Sequence, residues 1–592
     1  MIQTTYQKKI KELEAERVKL QRYSLCYVWL KVLTFVGMCI GWYAAHPAYT
    51  FLGVMIPVAL LIGYVACYVS DSECCARIKV LKKKIAVCKY ELEAGAGDYS
   101  AFADGREYID PKHSYSFDLD IFGESSLYHR MNRTVTQYGS DALARKLTVL
   151  SDSKEEILRN QEAVRELAGW NDWRLDFLAN ESIKSTLGGL SQSIGKQKYE
   201  GVFVSTWLPY VSVTLTLACL LLGIIGLIPM NCFSGMFILQ LMFASCTSRV
   251  QKEANKHISA LHKEYKGYLN LLRIMEKADF RAEKLKALSH TLFGGKDDSK
   301  VAFQRLSSLL NLFDIRGSEV MYILLNGLLL FDVLIIRKFT QWKKRYLPAM
   351  DGWLAAIGEV DALVSLAGYA YNYPQNRYAE IVEAGTDDVI VEAVRVYHPF
   401  LKSGKAVPND FVLRKNRVAI VTGANMAGKS TFLRTVGITY VLANTGAPVC
   451  ADRFRCSIVS LFSSMRTTDN LSDNISYFHA ELLRLKQLVN HLKQHPHTLV
   501  ILDEILKGTN SKDKLNGSIL FLDFVSRMNM SGIIATHDLE LAQHYEVRKE
   551  KFSNYCFEIE LSDEITYSYQ IGEGIARNLN ASYLLQKMLT TS

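Results

Sequence analysis

Two long stretches without any charged residue limit what this chain can fold into. From Val32 to Ser70, and again from Gly201 to Ser248, the sequence contains no Asp, Glu, Lys or Arg. A short turn that includes a proline divides each stretch into two apolar halves, and each half approaches the length needed to cross a bilayer. The sequence therefore predicts two transmembrane hairpins, the first with helices at about residues 26–45 and 50–70 and the second at about residues 203–247.

The last half of the second stretch is the weakest of these four segments. Phe233 to Ala244 is short and contains Gln240, so the sequence leaves open whether this segment spans the membrane. A further apolar stretch, Val320 to Ile336, contains Asn326 and Asp332. Its short length and its carboxylate favour a buried core helix over a membrane span.

Basic residues flank both hairpins, whereas the turns carry none. They are concentrated over residues 8–22 before the first hairpin and over residues 77–84 after it, and they lie on both sides of the second hairpin. Because Lys and Arg in such flanks stay on the cytoplasmic side, we expect both ends of the chain and its soluble parts in the cytoplasm. The protein is then integral to a membrane, which we expect to be the plasma membrane of a bacterium. Lys31 is expected to extend its ammonium toward the lipid head groups.

The length and charge of the chain set further bounds. Its 592 residues predict about three folded units rather than one core. The formal net charge of +9 suits an anionic partner such as a nucleotide, a nucleic acid or an acidic lipid surface, although basic flanks of membrane segments contribute to it. The twelve cysteines show no zinc-ligand spacing and fit small buried side chains in a reducing compartment. The charged residues 1–22 are unlike a cleavable signal peptide.

A phosphate-binding pattern lies far from the uncharged stretches, in the last third of the chain. Gly423 to Ser430 fits G-x-x-x-x-G-K-[ST] and follows the strand-like run Arg417 to Val421. Backbone N–H groups of such a loop face phosphate oxygens, and the N-terminus of the following helix attracts the same anion. Lys429 can reach the β- and γ-phosphates of ATP, and the hydroxyl of Ser430 can hold Mg²⁺.

Two further strand-like runs supply the remaining groups that nucleotide hydrolysis requires. TLVILDE ends in Asp503, whose carboxylate would approach the Mg²⁺ shell, and in Glu504, which could deprotonate the attacking water. GIIATHD contains His537 at its end, where a histidine could sense the γ-phosphate. Alternation of such runs with helices from about Val396 onward predicts an α/β domain with a mostly parallel sheet. The soluble sequence between residues 119 and 395 is mainly helical by its pattern.

These motifs resemble those of the MutS mismatch-repair ATPases. TGANMAGKST is similar to the family's phosphate loop T-G-P-N-M-G-G-K-S-T, with Ala424 and Ala427 in place of Pro and Gly. LDEILKGTNSKD resembles the segment D-E-I-G-R-G-T-S, and ATHDLEL resembles A-T-H-[YF]-x-E-L. DNLSDNISYFHAEL resembles D-D-L-x-x-G-x-S-T-F-x-x-E-M, and within it Ser476 matches a serine that reaches the nucleotide of the partner subunit.

The resemblance implies an ATPase with ATP and Mg²⁺ as cofactors, acting as a homodimer. Ser430 and Asp503 would hold the metal, Glu504 and His537 would act in hydrolysis, and Ser476 would contact nucleotide across the dimer. The nucleotide-binding residues of the loop would be Gly423, Ala424, Asn425, Met426, Ala427, Gly428, Lys429, Ser430 and Thr431.

The predicted fold class is multidomain. Residues 1–100 form a cytoplasmic helix and a transmembrane hairpin, and residues 101–395 form an all-α core and lever of MutS type that the second apolar hairpin interrupts. Residues 396–592 form a C-terminal α/β P-loop ATPase domain of ABC-like type, with C-terminal helices that support dimerisation. The resemblance extends from about residue 115 to the end, through HPFL, VPND, GEVDALVSLA and SLYHRMNRTVTQYGSDALARKL, and is strongest over the last 200 residues.

The features with which the family reads DNA are not evident in this sequence. The family's mismatch reader carries an aromatic wedge in an F-x-E motif, and the match here, Phe122 to Glu124, has no reader domain around it. The second hairpin occupies the region of the family's DNA clamp. Two functions therefore remain open: a mismatch-repair-related protein whose DNA contacts are weak and mostly non-specific, or a mechanochemical ATPase that acts on lipid or protein partners. A transporter is a third, less suitable alternative, because four uneven spans make a poor translocation path.

Overall fold

In the part of the chain that the structure describes, the regular elements up to residue 372 are helices, and those beyond it are both helices and strands. The computed structural model describes residues 2–45, 51–180, 207–246, 266–295, 298–315, 319–383, 387–401, 406–466, 477–508, 510–561 and 565–577.

The chain begins with a hairpin of two long helices, α1 (Ile2–Ala45) and α2 (Phe51–Ala96). At 1.5 Å per residue each helix is roughly 65–70 Å long. The polar segment over residues 1–22 and the first apolar segment belong to one continuous helix, because the composition changes along α1 while the helix continues. The ammonium of Lys31 lies 2.6 Å from the carboxylate of Asp71 on α2, the residue that follows the uncharged stretch.

The polar end of this hairpin is docked on the rest of the protein. Tyr6 and Leu13 of α1 and Ile85 and Cys88 of α2 form a small buried cluster with Leu175. A chain of buried polar contacts reinforces the docking. It consists of the Arg133–Glu91 ion pair (2.6 Å), the Asn372 amide donating to Glu91 (2.8 Å) and the Tyr6 hydroxyl donating to Asn372 (2.9 Å).

A bundle of helices follows and forms the body of the protein. Its first part consists of α3 (Leu127–Met131), α4 (Gln137–Thr148), α5 (Lys154–Gly169) and α6 (Asn171–Leu178). The bundle packs around the long helix α12 (Phe331–Asn372). The buried Asp361 of α12 accepts hydrogen bonds from the backbone N–H groups of Val135 and Thr136 and from the Thr136 hydroxyl, and Thr136 in turn caps α4.

A second apolar hairpin consists of α7 (Leu208–Ile224) and α8 (Met230–Cys246). It is followed by a helical segment at residues 266–276, by α9 (Glu283–Phe293) and α10 (Ser299–Ile315), and by the short helix α11 (Glu319–Leu329).

The prediction of one buried core helix over Val320 to Ile336 is wrong. The chain breaks at Leu330, whose φ of +45° ends α11 and starts α12 in a new direction. Val320, Met321, Ile323 and Leu324 of α11 are exposed, and this helix packs against α7 and α8 rather than inside the bundle.

Three helices in the described part of the chain are long and apolar enough to cross a membrane by length and composition: α1, α2 and α12. Burial distinguishes them, because the most apolar windows of α1 and α2 are 0% and 11% buried, whereas that of α12 is 83% buried. α12 is therefore a core helix. The helices α7, α8 and α11 are apolar but shorter.

The C-terminal part contains two sheets. A four-stranded sheet has the order β1-β5-β2-β3, with β1 at Glu380–Val382, β2 at Val389–Val396, β3 at Asn409–Arg414 and β5 at Arg453–Ser457. A six-stranded sheet has the order β10-β9-β4-β8-β7-β6 and is parallel except for the pair β9–β10. Its strands are β4 (Val418–Gly423), β6 (Ser460–Ser464), β7 (Thr498–Asp503), β8 (Met530–Thr536), β9 (Phe552–Leu561) and β10 (Ile565–Glu573).

Helices cover this larger sheet and connect its strands. They are α13 (Lys429–Thr445), α14 (Tyr477–Gln494), α15 (Ser511–Val525) and α16 (Leu539–Tyr545). The apolar side chains of β4, β7 and β8 are buried on both faces of the sheet, as a parallel sheet between helices requires. The helices of dimerisation predicted near the end fall mostly outside the described residues, which end at Arg577.

Candidate functional site

The Gly423–Gly428 loop joins the end of β4 to the start of α13 through backbone that favours glycine. Gly423 has a φ of +151°, and a Cβ there would lie 2.8 Å from the carbonyl oxygen of Phe557. Gly428 has a φ of +109° and immediately precedes α13. Ala427, which replaces a glycine of the MutS pattern, is buried and does not have a positive φ, so its methyl group fits the loop without backbone strain. Met426 takes the left-handed conformation instead and is exposed.

Lys429 is buried at the first position of α13. Its ammonium donates to the carbonyl oxygens of Gly423 (2.7 Å) and Ala424 (2.9 Å), so the side chain folds back over the loop. Burial lowers the pKa of Lys429, while the negative charges of Glu504 and Asp503 oppose that shift. Both carboxylates line the same cavity as the lysine.

The sheet register brings the ends of three strands together. Thr422 of β4 pairs with Thr536 of β8, and Asp503 of β7 pairs with Ala535 of β8. The next residue, Glu504, donates its backbone N–H to the Ala535 carbonyl and has a φ of +61°. The chain therefore turns sharply after β7, and Asp503 and Glu504 both reach the same edge as the loop.

Glu504 contacts the other predicted catalytic residue directly. Its carboxylate accepts a hydrogen bond from Nδ1 of His537 at 2.8 Å. Burial raises the pKa of the Glu504 carboxyl, but the hydrogen bond from His537 and the positive charges of Lys514 and Lys507 together hold that pKa below its usual value.

Lys514 on α15 completes this group and was missed by the sequence analysis. Its ammonium lies 3.3 Å from Nε2 of His537 and 3.6 Å from Oε2 of Glu504, and the side chain is buried. Because an ammonium can only donate, Nε2 of His537 must accept, which leaves the proton on Nδ1 and directed at Glu504. No local sequence pattern indicates this contact, because Lys514 and His537 are 23 residues apart on different elements.

A cavity of about 600 Å³ brings most of the predicted residues together. Its walls include the predicted residues Asn425, Met426, Gly428, Lys429, Ser430, Thr431, Asp503 and Glu504. Gly423, Ala424 and Ala427 form the loop behind this lining, and His537 contacts it through Glu504. The hydroxyl of Ser430 and the carboxylate of Asp503 are oxygen ligands of the kind that Mg²⁺ prefers.

The opposite wall of the cavity contains residues that were not predicted as site residues. Asn409 donates to the carbonyl oxygen of Tyr569 (3.1 Å) and accepts from the N–H of Ile571 (2.7 Å), which fixes β10 beside β3. His398 also lines the cavity, and its burial, together with the charges of Arg434 and Arg130, lowers its pKa to about 4. His398 and Asn409 belong to the quoted segments HPFL and VPND, which could have identified them, whereas Tyr569 had no sequence signal.

Ser476, the residue predicted to reach the partner's nucleotide, lies outside the described residues, as do residues 467–475. The chain just before that segment is fixed by Asp118. Its carboxylate accepts from the N–H groups of Met465 (3.0 Å) and Arg466 (2.8 Å) and from the Arg484 guanidinium (3.1 Å). The sequence leading to Ser476 is therefore tied to the beginning of the helical body.

Two other features can be separated from this site. Phe122, the aromatic residue of the F-x-E match, is buried between Tyr108 and Tyr128, so it does not project as a wedge. A larger cavity of about 1330 Å³ lies between the helical body and the outer strands of the ATPase-type domain and is lined by Lys146 and Glu359 among others. It contains no predicted phosphate-loop or catalytic residue, so the smaller cavity is the candidate site.

Comparisons with known proteins agree with this location. The family model described as MutS domain V matches residues 419–586. The DNA mismatch repair protein MutS of Aquifex pyrophilus is 32% identical over 231 residues, which cover 37% of this chain and 26% of that protein. The MutS protein of Shouchella clausii is 28% identical over 256 residues, which cover 42% of this chain and 29% of that protein. The chain thus spans only about a quarter of the length of the curated relatives it matches.

Proposed function

Because the C-terminal domain makes this chain a member of the MutS family, we propose that it is a membrane-anchored ATPase related to DNA mismatch repair. ATP binding and hydrolysis would switch the arrangement of a homodimer. The mismatch repair proteins to which this chain is similar support the link to mismatch repair, and the membrane anchor is proposed from the apolar hairpins.

One observation carries the proposal of ATP hydrolysis. Lys429, Ser430, Asp503 and Glu504 come from two separate elements of the sequence and line one cavity at the carboxyl edge of a parallel sheet. This edge is where open α/β sheets bind their ligands. A structural role alone would not require a lysine folded over a glycine-rich loop, a hydroxyl and two carboxylates at one place.

The arrangement suggests how the residues of this chain would act on ATP. Lys429 would exchange its two carbonyl partners for oxygens of the β- and γ-phosphates, while backbone N–H groups of the loop face the same phosphates. Ser430 and Asp503 would hold Mg²⁺, which neutralises phosphate charge when bound. Glu504 would accept the proton of the attacking water, and His537 would orient the Glu504 carboxylate.

The proposed dimer switch uses the segment that contains Ser476. A second copy would supply this serine to the nucleotide, as the resemblance implies. The hydrogen bonds of Asp118 to Met465 and Arg466 offer a route by which a movement of that segment reaches the helical body. The buried Asp361, which holds α4 on α12, would carry the movement further along the lever.

Membrane anchoring is supported by the surface of the two hairpins. Bulky apolar side chains on α1, α2, α7 and α8, such as Trp29, Leu33, Leu221 and Ile238, are more than half exposed. Such side chains are stabilised when lipid rather than water surrounds them.

Alkaline carbonate is expected to leave the protein in the membrane pellet. In a background without other cysteines, Ala48→Cys and Asn231→Cys are expected to react with an impermeant reagent from outside, and reaction only after membrane opening would overturn this topology.

Two variants of the cavity test the proposed activity. Lys429→Ala removes the phosphate-binding charge, so ATP affinity and turnover should both fall. Glu504→Gln keeps the shape of the site and the Asp503 carboxylate but removes the base, so ATP should bind and remain uncleaved. Bound nucleotide is measured by equilibrium binding, and turnover is measured as phosphate release from protein in lipid nanodiscs. Wild-type turnover by Glu504→Gln would show that another group is the base.

A second candidate function, a mechanochemical ATPase without specific DNA binding, is supported by the buried position of Phe122 and by the apolar hairpin in the region of the DNA clamp. ATP turnover with and without duplex DNA, at stated salt concentrations, separates the two candidates. A mismatch-repair-related ATPase should respond to DNA through weak, charge-driven and sequence-independent contacts, whereas an ATPase that acts on lipid or protein partners should not respond.

A further inference from the structure

The short helix α11 presents an apolar face that stays largely exposed in the described part of the chain. Val320, Met321, Ile323 and Leu324 are between 39% and 69% exposed. No charged residue occurs from Val320 to Phe331. Four adjacent exposed side chains of this size on a helix of 11 residues form a patch of the kind that marks an interaction surface.

The opposite face of α11 is packed closely on the second hairpin. A Cβ at Gly327 would lie 2.3 Å from the ring of Phe237 on α8, so only glycine permits this approach. At the end of α11, Leu330 joins Val333 and Ala244 in a small buried cluster. α11 is therefore part of the same packed unit as α7 and α8, and its exposed face adjoins theirs, which includes Ile238 and Leu239.

Basic residues follow α11 near the start of α12, and one of them contacts the start of α7. Arg337 lies over the ring of Tyr210, at the start of α7, with 5.0 Å between the guanidinium carbon and the ring centroid. Lys338, Lys344 and Arg345 follow on the exposed side of α12. Basic and aromatic side chains of this kind lie where a membrane helix meets the cytoplasmic head groups. The uncharged run from Val320 to Phe331, which follows Glu319 at the start of α11, precedes this basic band.

From this arrangement we propose that α11 is a third membrane-embedded element, a short helix whose exposed face is covered by lipid acyl chains. The proposal rests on the proposed membrane anchoring through α7 and α8. With 11 residues, α11 is roughly 16 Å long, too short to cross a hydrocarbon core of about 30 Å. It would dip into the cytoplasmic side of the bilayer against α8. Continuity with the apolar face of the hairpin and the basic band at its base favour lipid over a protein partner.

Spin labels in the full-length protein test this placement. Leu324→Cys on α11 and Leu222→Cys on α7 are labelled in a cysteine-free background, and Leu520→Cys on the exposed surface of α15 is the matched aqueous control. In liposomes of phosphatidylethanolamine and phosphatidylglycerol, collision rates with oxygen and with a water-soluble nickel chelate report depth. We expect the oxygen-to-nickel ratio at residue 324 to resemble that at 222 and to exceed that at 520 at least fivefold.

Each other outcome has a definite meaning. An aqueous ratio at 324 with a lipid-type ratio at 222 overturns the proposal for α11 and leaves membrane anchoring intact. Aqueous ratios at both positions overturn anchoring as well. Dipolar broadening between labels at 324 would show a second copy covering this face, which also overturns the proposal. Because removal of twelve cysteines could impair folding, a photo-crosslinking amino acid at 324 in the otherwise native chain gives a second measurement, and it should capture labelled phospholipid while the same substitution at 520 should not.

Discussion

Removing the Glu91 carboxylate should release the N-terminal hairpin from the rest of the protein. Glu91 lies on α2 and pairs with Arg133 at 2.6 Å, and both side chains are at most 6% exposed. Its other oxygen accepts from the Asn372 amide at the end of α12. The variant Glu91→Ala leaves Arg133 buried without its counterion, and it also leaves the Asn372 amide without this acceptor.

The magnitude follows from the contacts that remain. Removing one partner of a buried ion pair typically costs about 3–5 kcal/mol. Arg133 keeps hydrogen bonds to the carbonyl oxygens of Arg130 and Asn132, and its guanidinium still lies 3.7 Å from the centre of the Phe102 ring. These contacts place the expected cost near the lower limit, at about 3 kcal/mol, which corresponds to a roughly 150-fold change in a local opening equilibrium.

Hydrogen–deuterium exchange measures this local opening directly, whereas a global melting temperature would mix several units. Peptides covering residues 85–96 should exchange roughly 150-fold faster in Glu91→Ala than in the wild type, as the local equilibrium requires. The control Glu93→Ala changes an exposed glutamate on the same helix and should leave exchange unchanged. The pair of substitutions Glu91→Leu and Arg133→Met should restore most of the protection, because it removes both charges together.

If the exchange rate of residues 85–96 changes less than threefold in Glu91→Ala, this reasoning is refuted, because the ion pair then does not hold the hairpin on the helical body. Failure of the double variant to restore protection would show that shape rather than charge determines the effect.

Two further predictions concern the candidate site. Lys514→Met should lower the turnover number for ATP about tenfold with little change in KM, because Lys514 positions His537 and Glu504 and does not line the cavity proposed to bind the nucleotide. Lys514→Arg should keep most of the activity. A rise in KM as large as the fall in turnover number would contradict a positioning role. Gly423→Ala should weaken ATP binding at least tenfold, because the added Cβ would meet the Phe557 carbonyl oxygen. Gly574 also has a positive φ, but the space around an added Cβ is open, so the control variant Gly574→Ala should bind ATP normally. Equal ATP affinities of the two variants in a direct binding assay would refute this assignment.

The site was predictable wherever its chemistry is local in sequence. The loop, Lys429 and Ser430 follow one another along the chain, and Asp503 and Glu504 end a strand whose apolar run is evident, so their convergence follows from parallel-sheet geometry. Lys514 could not be found this way, because its contact with His537 depends on how α15 packs beside β8. Tyr569 reaches the cavity only because β10 pairs antiparallel with β9 at the edge of the sheet.

In the helical part, too, features that are local in sequence could be predicted, whereas contacts between distant residues could not. The apolar hairpins were evident from the absence of charge, yet the continuity of α1 through residues 22–32 was not, because composition changes there without a helix-breaking residue. The break at Leu330 carries no glycine or proline signal, so Val320 to Ile336 was misinterpreted as one helix. The ion pair of Arg133 with Glu91 joins residues 42 positions apart, which no local pattern specifies.

The most direct test of the central claim is the ATPase rate of the full-length protein in nanodiscs with matched and G·T-mismatched duplexes. We propose a MutS-family ATPase that is held at a membrane, in which Phe122 is buried and an apolar hairpin interrupts the helical body. We expect ATP turnover that responds equally and weakly to both duplexes and loses that response as salt rises, with dissociation constants of about 10⁻⁴ to 10⁻⁶ M at physiological salt. A tenfold or larger preference for the mismatch, about 1.4 kcal/mol, would contradict this proposal and assign a mismatch-reading function to this chain.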